Sequence, residues 1–234
     1  AFVALVYMAN SILGWALSWT AWDFTIQEAV GRLNVPFAWL MGVPLIIHEQ
    51  NSVAGTTNRM LRRFASQVLC AYSNPFPDSG AGTEVGNPVR QELLDRGLKS
   101  RYDYQGDRPL RLLIVGGSLG ARAINEVVPQ ALALLPPSFA VKVRHQTGAR
   151  NMEAVKLAYG ELPDLSAEVL PFIEDMASVY DWADLVLCRA GALTVSELTI
   201  MSRPSVLVPL PHSIDDHQLH NAEWLSQRGG AYLM

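Results

Sequence analysis

The stretch from Leu110 to Asn125, LRLLIVGGSLGARAIN, decides the fold of this chain. It opens with a mostly apolar run, residues 111–115, of the kind that forms a buried parallel strand. A glycine-rich turn follows at residues 116–120, and the sequence from Ala121 onward favours a helix. A strand, a glycine turn and a helix in this order present backbone N–H groups and a helix N-terminus to an anion. The stretch therefore predicts an α/β sheet with an anion site beyond one of its strands.

The glycine turn itself has two interpretations. It does not match the dinucleotide pattern G-x-G-x-x-G, because Ser118 stands where the second glycine belongs and an alanine stands at the third. Gly-Gly-Ser-Leu-Gly does match G-x-S-x-G, the turn that carries the nucleophile of α/β-hydrolases. Asp184 and then His212 or His217 follow in the chain order that such a hydrolase requires. From these residues alone, Ser118 either holds a phosphate group or attacks a carbonyl carbon.

Strands and helices are predicted to alternate along most of the chain. The predicted strands are residues 43–48, 67–72, 83–85, 111–115, 140–145, 167–170, 184–188, 205–208 and 231–234. The predicted helices are residues 54–65, 89–96, 121–135, 151–159, 175–182, 192–201 and 218–228. The polar segment 98–109 is predicted to be a linker or a surface loop. This alternation is typical of a doubly wound parallel sheet, whose ligands bind beyond the carboxyl ends of the strands.

Composition restricts the kinds of partner and compartment. The 234 residues are 50% hydrophobic and 17% charged, with a net charge of −4, and no basic stripe with interleaved aromatic residues is visible. Nucleic acid is therefore not an expected partner. The two cysteines, Cys70 and Cys188, each lie in an apolar run, which favours buried thiols in a reducing compartment over a disulfide.

The first 22 residues carry no charged side chain, and by length alone they permit a membrane span. Polar residues dilute this segment, and no Lys or Arg flanks it before Arg32. A buried helix or a disturbed sequence is the favoured interpretation, with Trp15, Trp19 and Trp22 on one packing face. The chain begins at Ala1 rather than Met and ends within a predicted strand, so we expect a fragment of a longer protein.

Three polar clusters are candidates for chemistry. In RAGALTVSE, which runs from Arg189, Gly191 frees the turn and leaves the first helical N–H groups available. Glu197 either accepts two ribose hydroxyls or is merely solvated. HSIDDHQLH, from His212, is either a metal site or a polar loop whose aspartates begin a helix, and the second interpretation is favoured. HEQN, from His48, follows a strand end, where sites form in this fold class. His145 and Cys188 lie inside predicted strands and are expected to be core residues.

Six blocks in this order and spacing resemble the MurG family of peptidoglycan glycosyltransferases. They are HEQNSVAG from His48, GNPVR from Gly86, VGGSLGARAIN from Val115, FIEDM from Phe172, CRAGALTVSE from Cys188 and DHQLHNA from Asp216. Members of this family transfer N-acetylglucosamine (GlcNAc) from UDP-GlcNAc to lipid I, which gives lipid II. The resemblance implies a two-lobed α/β fold of the GT-B type and an inverting reaction that needs no metal or other cofactor.

The resemblance also implies domains and site residues. Residues 1–88 are expected to form a partial, acceptor-side lobe, of which 1–34 diverge from the family, and residues 89–234 a donor-binding lobe truncated at its C-terminus. The implied partners are the donor UDP-GlcNAc, the undecaprenyl-linked acceptor lipid I and a peripheral site on the cytoplasmic face of the bacterial inner membrane. The substrate-binding residues implied by matching the family's motifs are Asn51, Arg90, Ser118, Phe172, Ile173, Ala192, Leu193, Thr194, Val195, Ser196, Glu197 and Gln218.

The sequence departs from the family at one position that bears on catalysis. The family's glycine loop, Gly-Gly-Thr-Gly-Gly-His, is absent from this sequence, and its histidine is the residue usually proposed as the base. No catalytic base is therefore assigned, since His48 is more simply explained as a structural residue. We expect little or no turnover from this chain when it is given UDP-GlcNAc and a lipid I analogue.

Overall fold

The computed structural model describes residues 5–8, 42, 44–76, 82–117, 121–136, 138–163, 165–211 and 216–234, and only the backbone of residues 5–8. The chain divides into two compact units. The first unit consists of Ala1–Asn87 with His212–His220, and the second of Pro88–Pro211 with Asn221–Met234. Each unit is built around its own parallel sheet.

The first unit contains a four-stranded sheet in the order β1-β2-β3-β4. These strands are β1 (Leu5–Met8), β2 (Leu45–Glu49), β3 (Gln67–Cys70) and β4 (Thr83–Glu84). Helix α1 (Thr56–Leu61) and a 3₁₀ turn connect β2 to β3. Leu45 and Ile47 are buried against Leu61 and Phe64, because alternate residues of a strand face the same side of the sheet.

The second unit contains a six-stranded sheet in the order β10-β9-β8-β5-β6-β7. The strands are β5 (Leu110–Val115), β6 (Val141–Gln146), β7 (Ser166–Leu170), β8 (Leu185–Cys188), β9 (Ser205–Leu207) and β10 (Ala231–Leu233). The helices are α2 (Gln91–Gly97), α3 (Arg122–Ala133), α4 (Met152–Gly160), α5 (Met176–Trp182), α6 (Ala192–Ile200) and α7 (His217–Ser226), whose first four residues are grouped with the first unit.

Both faces of the six-stranded sheet are covered, which gives the second unit three layers. On one face, Leu113 of β5 packs in a core with residues of α2, α5, α6 and α7. On the other face, Leu112 and Ile114 pack in a second core with residues of α3 and α4. The alternation of Leu112, Leu113 and Ile114 between the two cores follows from the two-residue period of a strand. It explains why residues 112–115 of β5 are apolar without interruption.

The predicted elements agree with the described structure from residue 44 onward, with one exception. The predicted helix 54–65 is α-helical only over Thr56–Leu61 and continues as a 3₁₀ turn, Arg62–Phe64. Each predicted strand and each helix of the second unit is present, with ends shifted by about two residues or fewer. Residues 98–109 form an irregular loop inside the second unit, so the surface-loop alternative is correct. Leu5–Met8 is a strand paired with β2, which contradicts a helix at those four residues. Trp15, Trp19 and Trp22 lie outside the described residues.

Candidate functional site

The order of strands places two polar turns side by side. β5 lies between β6 and β8 in the sheet. From β5 the chain continues outward to β6 and β7, and it then crosses back to form β8 on the other side of β5. Val115, the last residue of β5, pairs with Cys188, the last residue of β8. Parallel strands end at the same edge, so the glycine turn after Val115 and the turn that begins at Arg189 leave the sheet together. A reversal of strand order of this kind creates the crevice in which doubly wound sheets bind ligands.

The glycine turn is described as far as Gly117. Gly117 has a φ of +81°, a backbone conformation that side chains with a Cβ rarely adopt, so glycine is required there. Ser118 and Gly120 lie outside the described residues, and the predicted role of Ser118 stays a prediction.

Helix α6 carries six of the twelve predicted substrate-binding residues. Its N-cap is Gly191, with φ −62° and ψ 146°, values that any residue adopts. The sequence-based explanation that Gly191 frees the turn is therefore wrong. Gly191 contributes no side chain at the helix start, and a Cβ placed there would meet only the Oγ1 of Thr194 at 3.6 Å. The cap thus leaves room above the first turn of α6 and does not cover its N–H groups.

The predicted residues of α6 differ in how far their side chains are exposed. Leu193 and Thr194 are half-buried in the first turn, as is Ala192, whereas Val195 is fully buried in the core. The Ser196 hydroxyl donates to the carbonyl oxygen of Ala192 at 3.0 Å. Because the core encloses the side chain of Val195, any contact of this residue with a ligand would involve its backbone.

Glu197 has a partner on each of its carboxylate oxygens. Arg90, the N-cap residue of α2, donates from Nη2 to Oε1 at 3.4 Å, and the Tyr180 hydroxyl donates to Oε2 at 3.1 Å. The Glu197 side chain is 18% exposed and that of Arg90 is 53% exposed. Burial raises the pKa of Glu197 above its usual value, although the charge of Arg90 and the hydrogen bonds from Tyr180 and Arg90 oppose this shift. The structure thus brings together two predicted site residues, Arg90 and Glu197.

Tyr180 is a member of this cluster that the sequence analysis missed. It lies in α5, it is 1% exposed, and its ring packs in the core between the sheet and the helices. The apolar spacing of α5 is satisfied equally by Phe or Tyr, so the pattern gave no sign of a polar role. The signal available in the sequence was a tyrosine at a position that the apolar spacing places in the core, because a buried tyrosine hydroxyl usually needs a hydrogen-bond partner.

Phe172 and Ile173 lie in the loop between β7 and α5. The Phe172 side chain is 39% exposed, whereas Ile173 is 5% exposed and belongs to the core. An exposed aromatic ring beyond the carboxyl end of a strand is suited to stacking on a nucleobase. The side chain of Ile173 is enclosed by the core. Their predicted role in a uracil pocket stays a prediction.

Gln218 lies in the first turn of α7, the helix that follows β9 along the chain. Asn221 of the same helix is fully buried, and its Nδ2 donates to the carbonyl oxygen of Ala190 at 3.3 Å. This bond connects α7 to the residue that precedes Gly191. His212 and Asp215 lie outside the described residues, and among the described ones no group of three or more His, Cys, Asp or Glu side chains could hold a metal ion.

In the first unit, Glu49 organises the HEQN block at the end of β2. Its Oε1 accepts from the backbone N–H and from the Nδ2 of Asn51 at 2.9 and 3.2 Å. Its Oε2 accepts from the N–H of Gly55 at 3.1 Å and from the Nδ2 of Asn58 at 2.8 Å. The buried carboxylate therefore fixes the loop that carries Asn51, a predicted site residue. His48 is buried with its Nε2 at 2.9 Å from the carbonyl oxygen of Gly86, in agreement with a structural role.

The position of Asp184 argues against the hydrolase alternative. Asp184 precedes β8 at the amino edge of the sheet, where it accepts from Arg108 Nη2 at 2.8 Å and from the Arg111 N–H at 2.9 Å. The G-x-S-x-G turn follows the opposite end of β5, roughly 15 Å away along the strand. A triad acid must lie close enough to orient its histidine beside the nucleophile. Asp184 is instead a structural anchor for the loop that contains Arg108.

Two family models match this chain. The model described as "Glycosyltransferase family 28 C-terminal domain" matches residues 111–234. A model described as "Na+ dependent nucleoside transporter C-terminus" matches residues 1–74. Of that second range, the described residues form parallel strands and short helices. Across the described part of the chain, no helix has both the length and the apolar character needed to cross a bilayer.

Two curated relatives with the same name are similar to this chain over most of its length. The UDP-N-acetylglucosamine--N-acetylmuramyl-(pentapeptide) pyrophosphoryl-undecaprenol N-acetylglucosamine transferase of Tolumonas auensis is 49% identical over 197 residues, which cover 84% of this chain and 55% of that protein. The enzyme of the same name from Azotobacter vinelandii is 51% identical, over 84% of this chain and 54% of that protein. The crystal structure of Acinetobacter baumannii MurG superposes with a TM-score of 0.73 at 43% identity, over 86% of this chain and 55% of that one.

These comparisons confirm the predicted fold class and the predicted resemblance, and they lend no support to the hydrolase alternative. The chain spans about half the length of the curated relatives that it matches. The family model covers more than half of the chain and includes β5, α6 and α7. This chain, an α/β protein of the GT-B type, therefore belongs to glycosyltransferase family 28.

Proposed function

We propose that the second unit binds the UDP portion of UDP-GlcNAc at the crevice beyond β5 and β8. The observation that carries this proposal is the pairing of Val115 with Cys188, which puts the glycine turn and the start of α6 at one edge of the sheet. Backbone N–H groups at such an edge bind diphosphate oxygens without a metal. Glu197 lies within α6, where its carboxylate can accept hydroxyls of a ribose.

The reaction that we propose for the whole protein is the transfer of GlcNAc from UDP-GlcNAc to lipid I, which gives lipid II for peptidoglycan synthesis. The names of the relatives and the family match support this assignment. An inverting transfer is a single in-line displacement at the anomeric carbon, in which the acceptor hydroxyl loses its proton as it attacks. The departing UDP gains negative charge, which the N–H groups of the helix start and Arg90 would stabilise. A lipid-linked acceptor implies a peripheral position on the cytoplasmic face of the inner membrane.

The first test is calorimetric titration of the 234-residue chain with UDP, in EDTA and again in magnesium. We expect binding in both buffers, because N–H groups replace a cation. Glu197→Ala should weaken it by a factor of about ten, the effect of losing one charge-assisted acceptor. Glu153→Ala is the matched control, since this 81% exposed carboxylate lies in the first turn of α4 and should leave binding unchanged.

Two outcomes would contradict the proposal. Undetectable binding of UDP by the unaltered chain would remove its basis. Binding that requires a divalent ion and disappears in His217→Ala would instead support the metal-site interpretation of the HSIDDHQLH segment.

A further inference from the structure

The Tyr180 hydroxyl is a buried polar group in an otherwise apolar core. The other members of that core include Ala177, Val195 and Leu198, whose side chains cannot accept a hydrogen bond. A phenylalanine would fill the same space without the free energy that desolvation of the hydroxyl costs. The hydroxyl donates to Glu197 Oε2, so its place in the core is explained by this one carboxylate.

The two donors to Glu197 differ in how firmly they are held. Tyr180 is 1% exposed and its ring is enclosed on α5, so the hydroxyl has a fixed position. The side chain of Arg90 is long and 53% exposed, and its bond to Oε1 is longer, 3.4 Å against 3.1 Å. The orientation of the carboxylate is therefore determined chiefly by Tyr180.

Bonds from Tyr180 and Arg90 do not exhaust the carboxylate. Each carboxylate oxygen can accept about two hydrogen bonds, so each retains capacity for one more donor. A vicinal diol such as that of ribose offers two hydroxyl donors at the spacing of two carboxylate oxygens. A carboxylate that could rotate freely would lose conformational entropy on accepting both.

We propose that Tyr180 is a positioning residue, which holds Glu197 in the orientation that accepts the ribose hydroxyls of UDP. This inference rests on the proposed function and adds to it a residue that touches no ligand. Tyr180 acts only through Glu197, and that dependence distinguishes positioning from a general contribution to the core.

Tyr180→Phe tests this with UDP as the probe, in calorimetric titrations of the whole chain. The variant keeps the ring and should bind UDP roughly three- to tenfold more weakly, because the carboxylate that Tyr180 no longer holds must be ordered when UDP binds. In a Glu197→Ala background, Tyr180→Phe should have no further effect, because its partner is gone. Tyr159→Phe is the matched control, since it removes another buried tyrosine hydroxyl, one bonded to His145 on the opposite face of the sheet.

The pH dependence of UDP affinity distinguishes positioning from packing, because looser packing alone would not shift the pH at which affinity falls. The groups that face Glu197 are Arg90 from α2, Tyr180 from α5 and the buried thiol of Cys188 from β8. The hydroxyl of Tyr180 lowers the pKa of Glu197, so its removal should move the acid limb of the profile to higher pH. Arg90 and Cys188 are unchanged in the variant.

The outcomes separate the two claims. UDP affinity that falls in Glu197→Ala but is unchanged in Tyr180→Phe overturns the positioning role and leaves the proposed function standing. Equal losses from Tyr180→Phe in the presence and absence of Glu197 also overturn it, since the effect would then be one of packing. Failure of the unaltered chain to bind UDP overturns both claims.

Discussion

Buried polar side chains in the second unit occur in connected sets, and His145 shows how such a set determines ionisation. Asn125 Nδ2 donates to the carbonyl oxygen of Thr147 at 2.9 Å, so its Oδ1 is left to accept from His145 Nε2–H at 3.0 Å. The other ring nitrogen, Nδ1, then accepts from the Tyr159 hydroxyl at 3.0 Å. This arrangement uses the neutral imidazole completely, and burial lowers the pKa of His145 to about 4.

Stability should therefore fall as the pH falls from 6.5 to 4. The unfolded chain protonates His145 near pH 6.5 and the folded chain only near pH 4, so the unfolded state binds more protons between these values. The contribution of the neutral histidine is present above pH 6.5 and is lost below it, by about 2 kcal/mol between pH 6.5 and 4.5. Urea unfolding at these pH values should show that His145→Gln, although less stable at pH 7, lacks this part of the decline. Parallel declines in both proteins would contradict the assignment.

At the level of residues, the sequence drew attention to a residue type that is unusual for its place and missed one that is ordinary. Glu197 drew attention because an acidic residue follows a glycine turn by one helical turn or so. Tyr180 did not, because its role depends on a partner 17 residues away that only folding brings near. For Gly191, the expectation that it frees the turn was wrong, because its φ and ψ are values that any residue adopts. The expectation that it leaves the first N–H groups of the helix available agrees with the lack of a side-chain cap.

Among the elements, α2 and α6 approach each other closely at one glycine. A Cβ at Gly97, the last residue of α2, would lie 2.5 Å from the backbone oxygen of Ile200 and 2.6 Å from its Cγ2. Ile200 is the last residue of α6, the helix that carries Glu197. The absence of a side chain at Gly97 thus allows the contact that supports the site-bearing helix from its C-terminal end.

Gly97→Ala should destabilise the chain by about 1–3 kcal/mol, because a backbone oxygen cannot move aside as a flexible side chain can. Gly160→Ala is the matched control at the end of α4, where a Cβ would meet nothing within 4 Å. It should be neutral or stabilising by up to about 1 kcal/mol, since alanine restricts the unfolded chain. Chemical unfolding of both variants measures the difference. Equal stability of the two would mean that α2 and α6 can separate without cost.

Element prediction worked best where the central strands β5 and β8 pack against helices on both faces and each of those helices packs on one face. Those two burial patterns leave apolar runs and helical spacing, respectively, in the sequence. The sequence carries no such pattern for the edge of the sheet at which a polar residue lies. Asp184 suited a hydrolase triad in chain order alone, and only the register of β5 with β8 shows that it lies at the amino edge.

The order of strands in the whole second unit is what turns separate motifs into a site. Residues 116–117 and 189–191 are more than 70 positions apart along the chain, and the pairing of β5 with β8 makes them neighbours. Sequence spacing predicted the class of sheet but not this order, because strand order depends on which helices cover which face. Because the net charge is −4, the overall charge would not attract a diphosphate, and the proposed binding depends on local N–H groups and Arg90.

Amide hydrogen exchange, measured in both units with and without UDP, tests whether the donor site lies at the six-stranded sheet. Binding should slow exchange most in residues 110–117 and 189–200, because these segments form the proposed crevice and its helix. Residues 53–70 of the first unit should change little, since none of them is a predicted contact of UDP. The chain with Glu197→Ala, at the same UDP concentration, should show weaker protection in the same two segments, in proportion to its lower occupancy. Protection concentrated in residues 53–70 would place the nucleotide in the first unit and contradict the assignment of the donor site to the six-stranded sheet.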